Sequence, residues 1–361
     1  MGHSTVRRSV FFAIIASIIV ATTLLADAPA LLPTTAASSV QETRQAFLAV
    51  IDRSRVELSP QETPQGVRDG IATFHFTYSS EADQRVPGIL LAKQAVFKDA
   101  KRHPAVIVLH GTNGNKESVL DILTALAAKD FIAVAIDGRY HGERGTPATY
   151  NAAIAQAFAD GKSHPLYFDE VWDIMRLIDY LQSRPDVDPK RIGLMGISKG
   201  GIETWLTAAV DTRVTVAIPG ISVQSFQWGL ENNAWPRRVG TFQKGFTAAA
   251  KSVGIDNPDA SFARKFYDRL LPGIYTTFDG PKMVPLIAPR PLLVIAGDKD
   301  PLNPMQGLHL CEIPTRAAYD SAGADEKFNV LVQPNTAHAV NQPAKAAAVA
   351  WFVKWMGGRS Y

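Results

Sequence analysis

The chain has 361 residues, 46% of them hydrophobic and 20% charged, and a formal net charge of +3. That length accommodates one large α/β domain or two smaller ones, and the composition supplies ample core. The small charge, without any block of Lys and Arg, argues against a nucleic-acid partner.

At the N-terminus, Arg7 and Arg8 precede an apolar run from Val10 to Leu25. Ala26, Ala28 and Ala30 then give two overlapping Ala-x-Ala cleavage candidates. Residues 1–28 are therefore expected to be a secretory signal peptide, with the protein exported to the periplasm or secreted. The run falls short of the roughly 18 residues of a spanning helix. An uncleaved anchor is the lesser alternative, and no membrane contact is expected after cleavage. A twin-arginine signal fits the flanking residues poorly. Although export permits disulfides, Cys311 is the only cysteine. Between Leu310 and Glu312 in an apolar helical stretch, it reads as a buried structural thiol.

Residues 31–41 are rich in Ala, Ser, Thr and Pro and read as a flexible leader; a helix is expected over Gln41 to Arg53. Residues 29–70 thus form an N-terminal leader and helix, ahead of a main domain at 71–361. Ile71 to Tyr78 alternates and Val86 to Ala92 is apolar, which predicts a hairpin. The pattern then becomes strand, helix, strand. Ala105 to Leu109, Phe131 to Ile136, Arg191 to Gly196, Val214 to Ile218, Pro291 to Ala296 and Phe328 to Val332 read as strands. Glu117 to Ala128, Phe168 to Leu181, Gly201 to Val210 and Ala344 to Met356 read as helices. Apolar strands separated by helices imply an α/β fold, a mainly parallel sheet covered on both faces. One interval, about 221–286, lacks an obvious strand and is dense in aromatics. It is expected to form a helical cap over the C-terminal edge of the sheet. Most of its aromatics are expected simply to pack the insert onto the body. Trp228 and Trp235 are candidates for the wall of a substrate pocket.

The chemistry concentrates at strand ends. Gly196-Ile197-Ser198-Lys199-Gly200 sits between a strand and a helix, where glycines two residues before and after the serine permit a sharp turn. The same pattern arises by chance in glycine-rich loops, so context decides. A serine hydroxyl needs a base held by a third group. Asp298 and Asp300 both follow the strand ending at Ala296. His338, alone of the eight histidines, lies in a matching loop between the last strand and the last helix. An Asp in such a turn can instead cap the following helix, as Asp298 could. His110-Gly111-Thr112 ends another strand, and the backbone N–H groups of Thr112 and Lys199 are candidate oxyanion donors. His110 reads as structural. Arg139 and His141, in the loop after the strand ending at Ile136, read as loop-ordering residues and as candidates for substrate contact. No histidine and acid spacing fits a metal site, and no Gly-x-Gly-x-x-Gly follows the first strands, so no metal or cofactor is expected.

Together these residues resemble the α/β-hydrolase superfamily over roughly Ile71 to Met356. The chain is most similar to its dienelactone hydrolase, acetyl xylan esterase and prolyl-oligopeptidase-like branch. The Val86-Pro-Gly-Ile-Leu-Leu91 strand, His110-Gly111-Thr112, the Asp137 to Gly142 loop and Gly196 to Gly201 carry the resemblance. It implies about eight strands, the order nucleophile, acid, histidine, and a triad of Ser198, Asp300 and His338; Gly-x-x-Asp after the strand selects Asp300 over Asp298. Only about seventy residues precede the first predicted strand, which leaves no room for a propeller and weakens a peptidase reading. The expected function is hydrolysis of a small-molecule carboxylic ester through an acyl-enzyme. A peptidase, amidase or thioesterase with the same triad, and a non-catalytic binding protein on the same fold, are the alternatives. Acyl and alcohol specificity and oligomeric state are open at this level.

Overall fold

The computed structural model describes residues 1–2, 33–98 and 100–357, so the predicted signal peptide lies almost entirely outside the described residues. Nine strands appear: β1 (Gln61–Arg68), β2 (Ile71–Glu81), β3 (Gln84–Lys93), β4 (His103–Leu109), β5 (Ile132–Ile136), β6 (Val187–Ile197), β7 (Val214–Gly220), β8 (Leu292–Gly297) and β9 (Phe328–Gln333). They form one sheet in the order β1-β2-β3-β5-β4-β6-β7-β8-β9. From β5 to β9 all neighbours are parallel, while β1, β2 and β3 add an antiparallel edge.

Strand alternation sorts the central apolar residues onto two faces. Ile107, Leu109, Ile192 and Leu194 join a core with the helices Phe168–Ser183 and Lys199–Val210. Val106, Val108 and Met195 face the helices Leu120–Ala127 and Gln342–Met356, through Leu123, Leu126, Phe352 and Met356. At about 1.5–3 kcal/mol for each fully buried large apolar side chain, these layers hold the strand ends in fixed register.

Three elements differ from the sequence expectation. Residues 61–68, read as leader, form the ninth strand, β1. Every one of its residues is exposed, so it pairs through its backbone ladder and carries no apolar alternation. The unpredicted helix Pro147–Asp160 opens on a reciprocal Thr146–Thr149 capping box with Pro147 in its first turn, and ends on left-handed Gly161. The initial helix also begins earlier than expected and spans Pro33–Ile51.

The interval beyond Ile221 folds as five helices: Phe226–Glu231, Trp235–Val239, Gln243–Ser252, Ala260–Leu270 and Gly280–Met283. Its aromatics interlock: Phe246 meets Phe262 and Phe266 edge-on at 5.2 and 5.0 Å between ring centroids. Phe158 of the helix Pro147–Asp160 stacks on Phe266 at 5.8 Å, which fastens the cap to the body. Cys311 is buried in the helix Met305–Ser321. No helix among the described residues is long and apolar enough to cross a membrane.

Candidate active site

Ser198 sits at the junction of β6 and the helix Lys199–Val210 with φ 56° and ψ −111°. Backbone of that kind costs roughly 1–3 kcal/mol in a non-glycine residue and persists only where the surroundings enforce it. Here they do. A Cβ on Gly196 would lie 2.1 Å from the Gly200 carbonyl oxygen, and one on Gly200 would lie 2.6 Å from Leu109 Cβ. The Ser198 N–H donates to Gly220 O at 2.9 Å, which anchors the turn to β7.

His338, five residues beyond β9, brings Nε2 to 2.7 Å from Ser198 Oγ and Nδ1 to 2.7 Å from Asp300 Oδ2. An ionised carboxylate only accepts, so Nδ1 carries the proton and Nε2 is left to accept the serine hydroxyl proton. Asp300 is buried and accepts further bonds from the Leu302 and Asn303 N–H groups at 2.8 and 3.2 Å. Burial alone would raise its carboxyl, but His338 and these donors outweigh it and hold Asp300 below the usual carboxylate range. Asp298, the other acid of this turn, instead accepts the Thr336 N–H at 3.0 Å and ties the loop after β8 to the loop after β9.

Two buried amides that sequence reading missed position this trio. Gln333 donates to Ala339 O at 2.9 Å and accepts the Asn341 N–H at 2.8 Å, clamping the His338 loop from both sides. Asn303 Nδ2 donates to Asp300 Oδ2 at 3.3 Å and also to Ile221 O. Neither has a motif around it, and only the fold reveals what its amide spans.

The loop after β4 runs against the serine turn, where a Cβ on Gly111 would come within 3.5 Å of Ser198 Cβ. Thr112 follows directly, within a turn closed by Gly114 N–H donating to Gly111 O at 3.0 Å. His110 ties this loop to the one after β5. Its Nε2 accepts the Gly138 N–H at 3.0 Å, so Nδ1 carries the proton that bonds Gly111 O at 2.7 Å. Burial, reinforced by the Lys199 ammonium, pushes its pKa down to about 3 and keeps the ring neutral.

Lys199 itself is fully enclosed. Its Nζ donates to Glu203 at 2.7 Å and to Glu170. Burial alone would depress the ammonium, but the two carboxyls raise it above its ordinary value. Burial and the neighbouring Glu170 charge push Glu203 well up, whereas Lys199 outweighs burial and lowers Glu170. The single ammonium thus favours the charged form at Glu170 more than at Glu203. A Cβ on Gly138 would lie 2.3 Å from Glu170 Oε2, which explains the glycine there. Glu203, four residues after Lys199, was legible as a helical pair. Glu170, on the buried face of an amphipathic helix, was legible only as an acid out of place.

Of the two loop residues, Arg139 stands as an ordering residue. Its guanidinium is committed to Asp173, at 2.9–3.0 Å, and to Glu81, so it orders the body and is not free to meet a substrate. His141 is buried between His110 and Tyr150, at centroid distances of 5.2 and 4.7 Å. Its Nδ1 bonds Arg139 O, and its Nε2 has no partner. Trp228 and Trp235 line a cleft in the cap beside Leu302 and Pro304, just beyond Asp300.

Sheet order, serine turn and loop placement together are those of the α/β-hydrolase fold. Comparison with known proteins agrees. The acetyl xylan esterase (AXE1) family matches residues 48–225. YitV of Bacillus subtilis (strain 168) is 28% identical over 272 residues, covering 72% of this chain and 94% of that protein. YtaP of the same organism is 29% identical over 186 residues, but the match spans only about half of each chain, 52% and 53%. Among solved structures, the acetyl xylan esterase from Paenibacillus sp. R4 superposes with a TM-score of 0.62 at 17% identity, covering 88% of this chain and 95% of that one. Acetyl xylan esterase 1 from Thermoanaerobacterium sp. JW/SL YS485 gives 0.61 at 18%, covering 88% and 93%. The fold is that of the α/β-hydrolases, and over residues 48–225 the chain is similar to the acetyl xylan esterase family.

Proposed function

We propose that the protein hydrolyses a small-molecule carboxylic ester with Ser198 as nucleophile, His338 as general base and acid, and Asp300 as the group that orients the imidazole. The observation that carries this reading is the unbroken chain of 2.7 Å hydrogen bonds from Ser198 Oγ through His338 to Asp300. His338 Nε2 takes the Ser198 proton as Oγ attacks the acyl carbon. The carbonyl oxygen becomes an oxyanion held by the backbone N–H groups of Thr112 and Lys199, which contribute about 3 kcal/mol each. Collapse expels the alcohol, which leaves with the proton from His338. Water, deprotonated by His338, then attacks the acyl-enzyme and releases the carboxylic acid. The matched family favours a short acyl group on a carbohydrate-type alcohol.

The Lys199 side chain supports the same reading from behind. With Nζ held between Glu170 and Glu203, the Lys199 side chain braces the start of the helix that follows Ser198.

A fluorophosphonate probe tests the assignment. The wild type is expected to gain one covalent adduct mass, and Ser198→Ala none. Short 4-nitrophenyl esters should be turned over well ahead of aminoacyl anilides and thioesters. No adduct on the wild type, under conditions that label a known serine esterase, would overturn the reading. Faster anilide or thioester cleavage would move it to an amidase or thioesterase.

A further inference from the structure

The cap reaches the turn of the triad acid through Arg238. This residue lies on the cap helix Trp235–Val239 and is buried, and its Nη2 donates to Leu302 O at 2.9 Å and to Asn303 Oδ1 at 2.6 Å. Both acceptors belong to the turn that carries Asp300. Within that turn the Leu302 and Asn303 N–H groups donate to Asp300 Oδ1 at 2.8 and 3.2 Å. Asn303 Nδ2 donates at 3.3 Å to Asp300 Oδ2, the oxygen that also accepts from His338 Nδ1. Arg238 therefore grips the two residues whose N–H groups hold the carboxylate in place.

An amide side chain accepts at one end and donates at the other, whereas a guanidinium only donates. Arg238 thus claims Oδ1 of Asn303 and turns Nδ2 toward two acceptors, Asp300 Oδ2 and Ile221 O. The reversed amide would set its oxygen against a carboxylate and its N–H groups against a cation. A charged donor also makes the Arg238 end the stronger bond. Ile221 has φ 47°, a conformation that a β-branched residue rarely adopts, and it follows Gly220, whose carbonyl accepts the Ser198 N–H. One amide therefore ties the cap to the acid and to the strand end that anchors the nucleophile. Another cap arginine shows what plain docking looks like. Arg269 donates to the backbone carbonyls of Phe158 and Ala159 on the helix Pro147–Asp160 and touches nothing that contacts the triad.

We propose that Arg238 is a positioning residue for the reaction: acting through Asn303, it holds Asp300 in place against His338, so that the seating of the cap sets the rate of the chemical step. A change in the cap that displaces the helix Trp235–Val239 is then felt in kcat and not only in substrate binding. This inference rests on the Ser198, His338 and Asp300 reading for the reaction on which it acts, but not for the hydrogen bonds themselves.

The test compares turnover of a short 4-nitrophenyl ester with the rate at which a fluorophosphonate labels Ser198, which needs an activated serine but no particular substrate. Arg238→Met, similar in length and without a donor, should lower kcat and the labelling rate about tenfold and leave KM within about twofold of wild type. Because a single nitrogen of Arg238 makes both bonds, the ammonium of Arg238→Lys should bring both rates back to within about threefold of wild type. In an Asn303→Ala background, Arg238→Met should cost less than about twofold more. The far-downfield proton resonance of the His338 Nδ1–H bonded to Asp300 should shift or broaden in Arg238→Met, which loss of simple cap docking would not cause. Unchanged rates in folded Arg238→Met would overturn the proposal, as would a raised KM with kcat retained, or the full loss in the Asn303→Ala background. A wild-type labelling rate in Asn303→Ala would overturn it even if Arg238→Met failed to fold. If the wild type is labelled but cleaves no ester, slower labelling of Arg238→Met upholds the positioning role and counts against ester hydrolysis alone. A wild type that takes no label removes both.

Discussion

The rim of the sheet and the cap above it are built on opposite principles. At the rim, each group of the Ser198, His338 and Asp300 chain has its partners within the protein, and amides such as Gln333 and Asn303 clamp the loops that carry them. In the cap, cohesion comes instead from aromatic packing around Phe246 and Phe266. A closed hydrogen-bond network fixes one geometry, which bond-making requires. Apolar packing is non-directional and tolerates changes of shape, which recognition exploits. On the function proposed above, reactivity falls to the body and selectivity to the insert.

The hardest test of that division is Ser198→Ala. Loss of a triad serine costs on the order of 10⁶ in kcat where the triad acts as a unit; turnover within tenfold of wild type would remove the rim from the chemistry altogether. Next comes the choice between the two acids of one turn. Asp300→Asn should lower kcat about 10⁴-fold, because an amide no longer imposes the Nδ1–H tautomer on His338. Asp298→Asn, whose partner is a backbone N–H of the histidine loop, should cost less than tenfold. Equal losses, read from ester hydrolysis at saturating substrate, would show that loop position and not tautomer control dominates.

That pair also shows where sequence was sufficient. The serine turn was legible because glycines at 196 and 200 are demanded by contacts of under 3 Å, and a steric demand leaves a mark in residue type. The central strands were legible because two covered faces require unbroken apolar runs. β1 was not, since a fully exposed edge strand held by its backbone imposes no pattern. Asn303, Gln333 and Arg238 were invisible for a related reason. Each acts through two or more side-chain hydrogen bonds that only the folded loops bring together, and a polar residue looks the same in sequence whether its partner is water or a loop eighty residues away. Arg139 was legible as an ordering residue, but its carboxylate partners Glu81 and Asp173 were not, because they belong to distant elements.

The Lys199 cluster sharpens the comparison at the level of stability. Lys199→Met would leave the ionised Glu170 buried without its cation, at a cost of about 3–5 kcal/mol. Burial and the Glu170 charge hold the Glu203 carboxyl well above its ordinary range, so Glu203→Gln removes the less favoured charge of the pair and should cost about 1 kcal/mol or less. Glu170→Gln should fall between them. Denaturant unfolding of the three variants checks the order, and a Glu203→Gln loss as large as that of Lys199→Met would put the charge on the other carboxyl.

The smallest effect is one of pH, and it falls on His110, the histidine that joins two rim loops without reaching the serine. Its folded pKa of about 3 lies below the ordinary 6.5 because burial, and then Lys199, disfavour the cation. The unfolded chain takes up the proton as pH falls below 6.5, whereas the folded chain does so only near 3, so protonation favours unfolding across that interval. Its contribution is complete above pH 6.5 and declines toward pH 3 at up to about 1.4 kcal/mol per pH unit. The His141 ring, lowered by burial and by Lys199, acts in the same direction, while the raised Glu203 acts in the opposite one. The His110 share is therefore read as the difference between wild type and His110→Asn, in unfolding free energies at pH 7, 6 and 5. The wild type should lose about 1 kcal/mol more than the variant between pH 6 and 5. Parallel curves would mean that His110 is already protonated in the fold, that its Nε2 does not accept from Gly138, and that the loop carrying Thr112 is held by something else.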